Sequence, residues 1–215
     1  MVETYFAPCA IGAICVPINF RLAVEEMVAV IADCTPEVLI VDRHFQPEAA
    51  QLMKLCPSLT HLIFADWDAP GPDLPAGTLI YDDLLGDPVA DDAFVVRGSV
   101  QDDTMIIFYT SGTTGVPKGV MLSHANLLVN ATGSGHLYGY QTSDILLLSG
   151  PLFHLGTGSR AYTAVAYGTT MVIQPKFQVE ETMQIIQDQR VTTMTLVPTM
   201  LGMIMDHPDF GKFDF

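Results

Sequence analysis

The 215-residue chain is 49% apolar, which is enough to form a substantial hydrophobic core. Its 24 acidic and nine basic residues give a formal net charge of −15, which argues against general binding to nucleic acid or to an anionic membrane. Residues 4–20 are uncharged, but the run contains two prolines, is too short for a membrane span and follows Glu3. We therefore expect a buried helix leading into a strand, in a cytoplasmic protein with no transmembrane segment.

The four cysteines are expected to be free thiols. Cys9, Cys15, Cys34 and Cys56 include no C-x-x-C pair and lack the histidine spacing that is typical of zinc sites. Each lies in an apolar stretch, where a reduced thiol packs as a small apolar side chain. Two disulfides are the alternative.

Helices and strands alternate along the first part of the chain. Apolar residues at helical spacing predict helices over 22–34 and 46–55, and the apolar runs 36–42 and 61–64 predict buried strands. This order indicates a parallel sheet covered by helices.

The composition changes at residues 65–100, where proline, glycine and aspartate surround short apolar patches. This change predicts a partial first α/β lobe at 1–64, a connection at 65–100 and a second α/β lobe at 101–215. The second lobe has predicted buried strands at 104–111, 144–151, 169–174 and 192–198. A helix is expected after the N-cap Ser123, and two more over 179–190 and 199–205.

The stretch YTSGTTGVPKG at 109–119 combines three glycines, four Ser or Thr hydroxyls and one lysine. Such a loop suits phosphate oxygens, and we interpret the unit as strand, glycine loop and helix, with backbone N–H groups directed at the anion. A Walker A loop is excluded, because Pro117 stands where its second glycine would be and Gly119 where its Ser or Thr would be. An ordinary turn is the alternative, but Lys118 is the only Lys or Arg between Arg97 and Arg160.

The twelve residues YTSGTTGVPKGV resemble the phosphate-loop signature of the adenylate-forming superfamily. This superfamily includes acyl-CoA synthetases, luciferase-like enzymes and the adenylation domains of peptide synthetases. Residues 10–42, 151–159 and 195–201 are similar to other segments of the family in the same order. The resemblance implies an α/β fold with mostly parallel sheets flanked by helices, as part of the large N-terminal domain of such an enzyme. It also implies ATP-dependent conversion of a carboxylic acid, expected to be a fatty acid, to an acyl-adenylate and then to acyl-CoA.

The resemblance also implies roles for particular residues, carried over by position. The residues implied to hold the β- and γ-phosphates of ATP are Thr110, Ser111, Gly112, Thr113, Thr114, Gly115 and Lys118. His154 matches the family position beside the substrate carboxylate, so Lys118 and His154 are the candidate catalytic residues, with a purely structural histidine as the alternative. ATP, Mg²⁺ and coenzyme A are the implied cofactors and co-substrates, and no residue is assigned to the metal.

Two features refine this interpretation. The neighbours of Phe153 are uncharged, which favours a fatty or aromatic acid over the amino acid of a peptide-synthetase domain. The family's adenine-binding, ribose-binding and C-terminal lysine segments have no counterpart, so we expect a fragment that is inactive alone. A nucleotide-binding module without chemistry is the alternative. Apolar surface that further segments would cover predicts self-association or a partner chain.

Overall fold

The computed structural model describes residues 1–65, 74–86, 101–110 and 117–215. Within these ranges the helices are α1 (Val2–Ala10), α2 (Val24–Cys34), α3 (Gln46–Leu55), α4 (Tyr81–Leu85), α5 (His124–Tyr138), α6 (Leu155–Tyr167), α7 (Val179–Gln189) and α8 (Pro198–Met205). The strands are β1 (Val38–Val41), β2 (His61–Phe64), β3 (Leu79–Ile80), β4 (Thr104–Thr110), β5 (Lys118–Ser123), β6 (Ile145–Leu148), β7 (Thr170–Ile173) and β8 (Thr193–Met194).

Two of the sheets are built from parallel strand pairs. β1, β2 and β3 form one sheet in that order, with Leu39 opposite Leu62. β6 lies between β7 and β8 in another, with Leu147 opposite both Val172 and Met194. β4 and β5 form a separate two-stranded sheet. Parallel pairs need crossover connections, and α3 lies between β1 and β2 in the chain while α6 lies between β6 and β7. The predicted α/β fold is confirmed.

The chain divides into two compact units. The first comprises Met1–Pro17, Gly98–Phe108 and Met121–Phe215, and the second comprises Ile18–Arg97 and Tyr109–Val120. Met1–Pro17 is thus grouped with the C-terminal part of the chain. The division into 1–64, 65–100 and 101–215 that composition suggests stays a prediction.

The core of the first unit includes strand β6. The strand's run of leucines places Leu146, Leu147 and Leu148 at no more than 2% exposure. Leu146 and Leu148 belong to a buried cluster that includes Tyr5 of α1 and Tyr162 of α6, whose rings stack with centroids 5.5 Å apart. Residues two apart on a strand share a face, so this cluster covers one face of β6. The buried strand predicted within 144–151 is confirmed.

The core of the second unit lies beside α2. Glu26 caps the start of this helix by accepting a hydrogen bond from the backbone N–H of Ala23 at 2.8 Å, and Thr35 ends it in a left-handed conformation with φ of 45°. Met27 and Ile31 lie on one helical face and belong to a buried cluster with Leu39, Leu62 and residues of α3. The helix predicted over 46–55 is confirmed.

The interpretation of the unit as strand, glycine loop and helix omits one strand. Strand β5 separates the loop from α5, because Val120, Met121 and Leu122 form a short strand with β4. The helix then begins after Ser123, as predicted. The Ser123 hydroxyl accepts from the Asn126 N–H at 3.2 Å, and the Asn126 side chain accepts from the Ser123 N–H at 3.0 Å.

Two further expectations are corrected, and one helix has no counterpart among the predictions. The run 4–20 is helical only to Ala10, because Gly12 turns the backbone with φ of 78°, and the expected strand is a single bridge between Cys15 and Ile106. Helix α6 was not anticipated at all. The strand predicted over 36–42 is covered on one face only, since Val38 remains 46% exposed while Leu39 is buried.

All four cysteines are free thiols, as the sequence predicts. Burial raises the pKa of Cys9 to about 11 and that of Cys15 to about 12, so both are neutral near pH 7. Across the described ranges, no helix combines the length and the hydropathy that a membrane span requires.

Candidate functional site

Two of the predicted phosphate-binding residues stand at the ends of a strand pair. Thr110 is the last residue of β4 and Lys118 is the first residue of β5. The Thr110 hydroxyl donates a long hydrogen bond of 3.5 Å to the backbone carbonyl of Lys118, so the two residues are neighbours in space. Ser111, Gly112, Thr113, Thr114 and Gly115 lie outside the described residues.

The charge of Lys118 is exposed and pairs with no carboxylate of the residues that the structure describes. Among the described side chains, His44 lies 3.3 Å from Asp42 and Lys212 forms an ion pair with Asp209, and neither contact involves Lys118. In a chain with a formal net charge of −15, this ammonium group is available to an external anion.

Tyr109, which precedes Thr110 on β4, is hydrogen-bonded to the end of α2. The Tyr109 hydroxyl donates to the Asp33 carboxylate at 2.5 Å, and the Cys34 thiol also lies within hydrogen-bonding reach of that hydroxyl. Burial, reinforced by the bond to Asp33, raises the pKa of Tyr109. This contact could not be predicted from the sequence, because no local pattern relates residues 33 and 109.

His154 caps the start of α6. Its Nδ1 accepts from the backbone N–H of Gly156 at 3.1 Å, and its carbonyl accepts from the N–H of Gly158 at 2.8 Å. Because Nδ1 is the acceptor, the neutral imidazole carries its proton on Nε2. The side chain is exposed, so Nε2–H is available as a hydrogen-bond donor.

The segment before His154 is fixed to the core of the first unit. The Tyr5 hydroxyl donates to the backbone carbonyl of Leu152. Gly158 of α6 passes so close that a Cβ atom there would lie 2.7 Å from both the Leu152 carbonyl oxygen and the Tyr5 hydroxyl, and 3.4 Å from Phe108. The position of the segment that carries His154 therefore depends on a glycine at position 158.

The described residues do not provide a metal site. Within these ranges, no three His, Cys, Asp or Glu side chains are grouped so that they could hold a metal ion. Lys118 and His154 belong to different compact units. The roles of all the predicted site residues stay predictions.

The sequence matches the AMP-binding enzyme family over residues 1–214. It is 36% identical to the indoleacetate–CoA ligase of Aromatoleum aromaticum, over all of this chain and 41% of the relative. It is 29% identical to the long-chain-fatty-acid–CoA ligase FadD13 of Mycobacterium tuberculosis, over 98% of this chain and 39% of the relative. The chain thus spans about two fifths of the length of these curated relatives.

A solved structure supports the same placement. The inhibitor-bound N-terminal domain of FACL13 from Mycobacterium tuberculosis is 26% identical, with a TM-score of 0.81, and the match covers 98% of this chain and 50% of that domain. The α/β fold described above is therefore part of the N-terminal domain of an adenylate-forming enzyme. Because the family match extends over nearly the whole sequence, the chain belongs to the AMP-binding enzyme family.

Proposed function

We propose that the chain supplies the phosphate-binding part of an enzyme that joins a carboxylic acid to coenzyme A at the expense of ATP. The observation that carries this proposal is the pairing of Thr110 and Lys118 at the two ends of the glycine-rich stretch, with the lysine charge exposed and unpaired by described carboxylates. Membership of the AMP-binding family and the names of the CoA-ligase relatives support it.

The proposed reaction has two steps. A carboxylate oxygen of the acid attacks the α-phosphorus of ATP, the bond from that phosphorus to the bridging oxygen breaks, and pyrophosphate leaves. The thiolate sulfur of coenzyme A then attacks the acyl carbonyl carbon, and AMP leaves. Negative charge grows on the departing pyrophosphate in the first step, so donors and a cation around the β- and γ-phosphates lower its barrier.

Each predicted residue has a role that follows from its chemistry. The hydroxyls of Thr110, Ser111, Thr113 and Thr114 donate to phosphate oxygens, Gly112 and Gly115 allow close approach of the backbone, and Lys118 adds a point charge. His154 donates its Nε2–H to the acid carboxylate. The described residues include no acidic cluster that could hold Mg²⁺ by itself.

We propose that the substrate acid carries no charged group other than its carboxylate. Leu152, Phe153 and Leu155 flank His154 without an acidic side chain that could pair with an amino group. A fatty acid and an aromatic acid both meet this condition. The two relatives named above differ in this respect, one being named for indoleacetate and the other for long-chain fatty acids.

Titration of the chain with ATP, followed by ATP–pyrophosphate exchange with fatty and aromatic acids, tests the proposal. We expect ATP to bind more tightly than AMP, because the predicted contacts are to the β- and γ-phosphates, and we expect no exchange by this chain alone. Binding without exchange agrees with a phosphate-binding part of a larger enzyme. Equal affinity for ATP and AMP, or no binding at millimolar ATP, would contradict the proposed function.

We also expect the chain to self-associate through α5. This helix contains no Asp, Glu, Lys or Arg, so two copies can approach there despite the acidic chain, and Leu128, Val129, Leu137 and Tyr138 are 57–75% exposed. Size-exclusion chromatography with light scattering should show a dimer that Val129→Glu converts to monomer. The matched Gln51→Glu change, on α3, should leave the dimer intact. A wild-type monomer at high concentration would contradict this expectation.

A further inference from the structure

We propose that Tyr109 is a positioning residue for ATP binding, acting through its hydrogen bond to Asp33. This inference rests on the proposed function, since it assigns Tyr109 the task of holding Thr110 where a phosphate oxygen can reach it. Nothing in the phosphate-loop pattern itself requires a partner on α2. The contact is therefore a separate feature of this chain's fold.

The bond has the geometry of a strong charge-assisted interaction. The distance from the Tyr109 hydroxyl to Asp33 Oδ2 is 2.5 Å, at the short end of the range for a hydroxyl donating to a carboxylate. The Cys34 thiol flanks the same hydroxyl and itself donates to the Val30 carbonyl at 3.1 Å. Tyr109 is half-buried and Asp33 is exposed, so the protein shields the bond from water only in part.

The partner of Tyr109 stands on a rigid element. Asp33 lies in the last turn of α2, and the preceding residues Val30 and Ile31 are no more than 1% exposed. Thr35 ends the helix in a left-handed conformation and donates its N–H to the Ile31 carbonyl at 2.8 Å. The Asp33 carboxylate is therefore presented from a helix end that is fixed by its own core.

The other contacts of the strand end are weak by comparison. Thr110 is exposed, and its recorded hydrogen bond to Lys118 measures 3.5 Å, the limit for such a bond. Side chains alternate along a strand, so Tyr109 can bind α2 on one side while Thr110 presents its hydroxyl on the other. Loss of the Tyr109 bond would leave the adjacent residue without a firm anchor.

The test compares Tyr109→Phe, Asp33→Ala and the double variant, with ATP and AMP as probes. Each single change should weaken ATP binding by up to about tenfold, because a hydrogen bond that orders Thr110 contributes at most its own strength to binding. The double variant should lose no more than a single one, because both changes remove the same bond. AMP affinity should be unchanged, a selectivity that general destabilisation would not produce. Asp33→Asn, which keeps a neutral acceptor, should give an intermediate loss.

Tyr138→Phe is the matched control, because Tyr138 is an exposed tyrosine whose recorded contact is the Arg160 guanidinium over its ring. Wild-type ATP affinity in Tyr109→Phe, or additive losses in the double variant, would overturn the inference. The proposed function is tested separately, by the loss of ATP affinity in Lys118→Ala. If Tyr109→Phe fails to fold, Asp33→Ala carries the test, since Asp33 is exposed. Failure of the wild-type chain to bind ATP would overturn both proposals.

Discussion

Replacement of Lys118 by alanine is expected to weaken ATP binding by about 10-fold to 100-fold, which corresponds to roughly 1.5–3 kcal/mol for hydrogen bonds to a charged group. The lysine is exposed and pairs with no described carboxylate, so its removal breaks no internal ion pair. The fold should therefore remain stable while the affinity falls. Titration calorimetry with ATP, accompanied by thermal unfolding of the same samples, measures both quantities.

Lys176→Ala provides the matched control for this prediction. Lys176 is also exposed, and its removal changes the net charge by the same amount. A long-range effect of net charge would weaken ATP binding similarly in both variants, whereas a local contact affects only Lys118. Raising the salt concentration should also reduce ATP affinity more in the wild type than in Lys118→Ala. Equal affinities of the two variants would remove Lys118 from the proposed site.

Local sequence patterns predict the helices and strands that are stabilised mainly by residues near them in the chain. The helix over Gln46–Leu55 and the strand over His61–Phe64 have the predicted limits. In both, the spacing of the apolar residues and the flanking residues indicate the same bounds. Helix α6 was missed because its first turns contain Gly156, Thr157, Gly158 and Ser159, which favour helix weakly. The His154 cap and the burial of Thr157, Gly158 and Ser159 outweigh that local preference.

The residues of the candidate site also include some that the sequence predicts and some that it does not. The phosphate-loop stretch is contiguous, so Thr110 and Lys118 could be singled out from residue types alone. The contact between Asp33 and Tyr109 joins residues that are 76 apart in the chain, and that between Tyr5 and Leu152 joins residues 147 apart. Such contacts depend on how helices dock onto strands, and a single sequence carries no periodic signal of that docking.

Tyr5, Leu152 and Gly158 lie in close contact in the first unit. Gly158→Ala is expected to lower the free energy of unfolding by about 1–3 kcal/mol, the usual cost of inserting a methyl group into a filled core. The added Cβ would lie 2.7 Å from a backbone carbonyl oxygen, that of Leu152, which cannot move without displacing the chain that leads to His154. Chemical denaturation followed by circular dichroism measures the loss.

Gly133→Ala separates this steric effect from helix propensity. Gly133 lies within α5, and a Cβ atom there would meet nothing within 4 Å, so the same substitution should stabilise the protein by about 0.5–1 kcal/mol. The two variants are thus expected to shift stability in opposite directions. If Gly158→Ala stabilised the protein to the same extent as Gly133→Ala, the segment around Leu152 would be able to move away from the added Cβ with no loss of stability. His154 would then be held by its own helix cap alone, rather than by the packing of Tyr5 and Gly158 behind it.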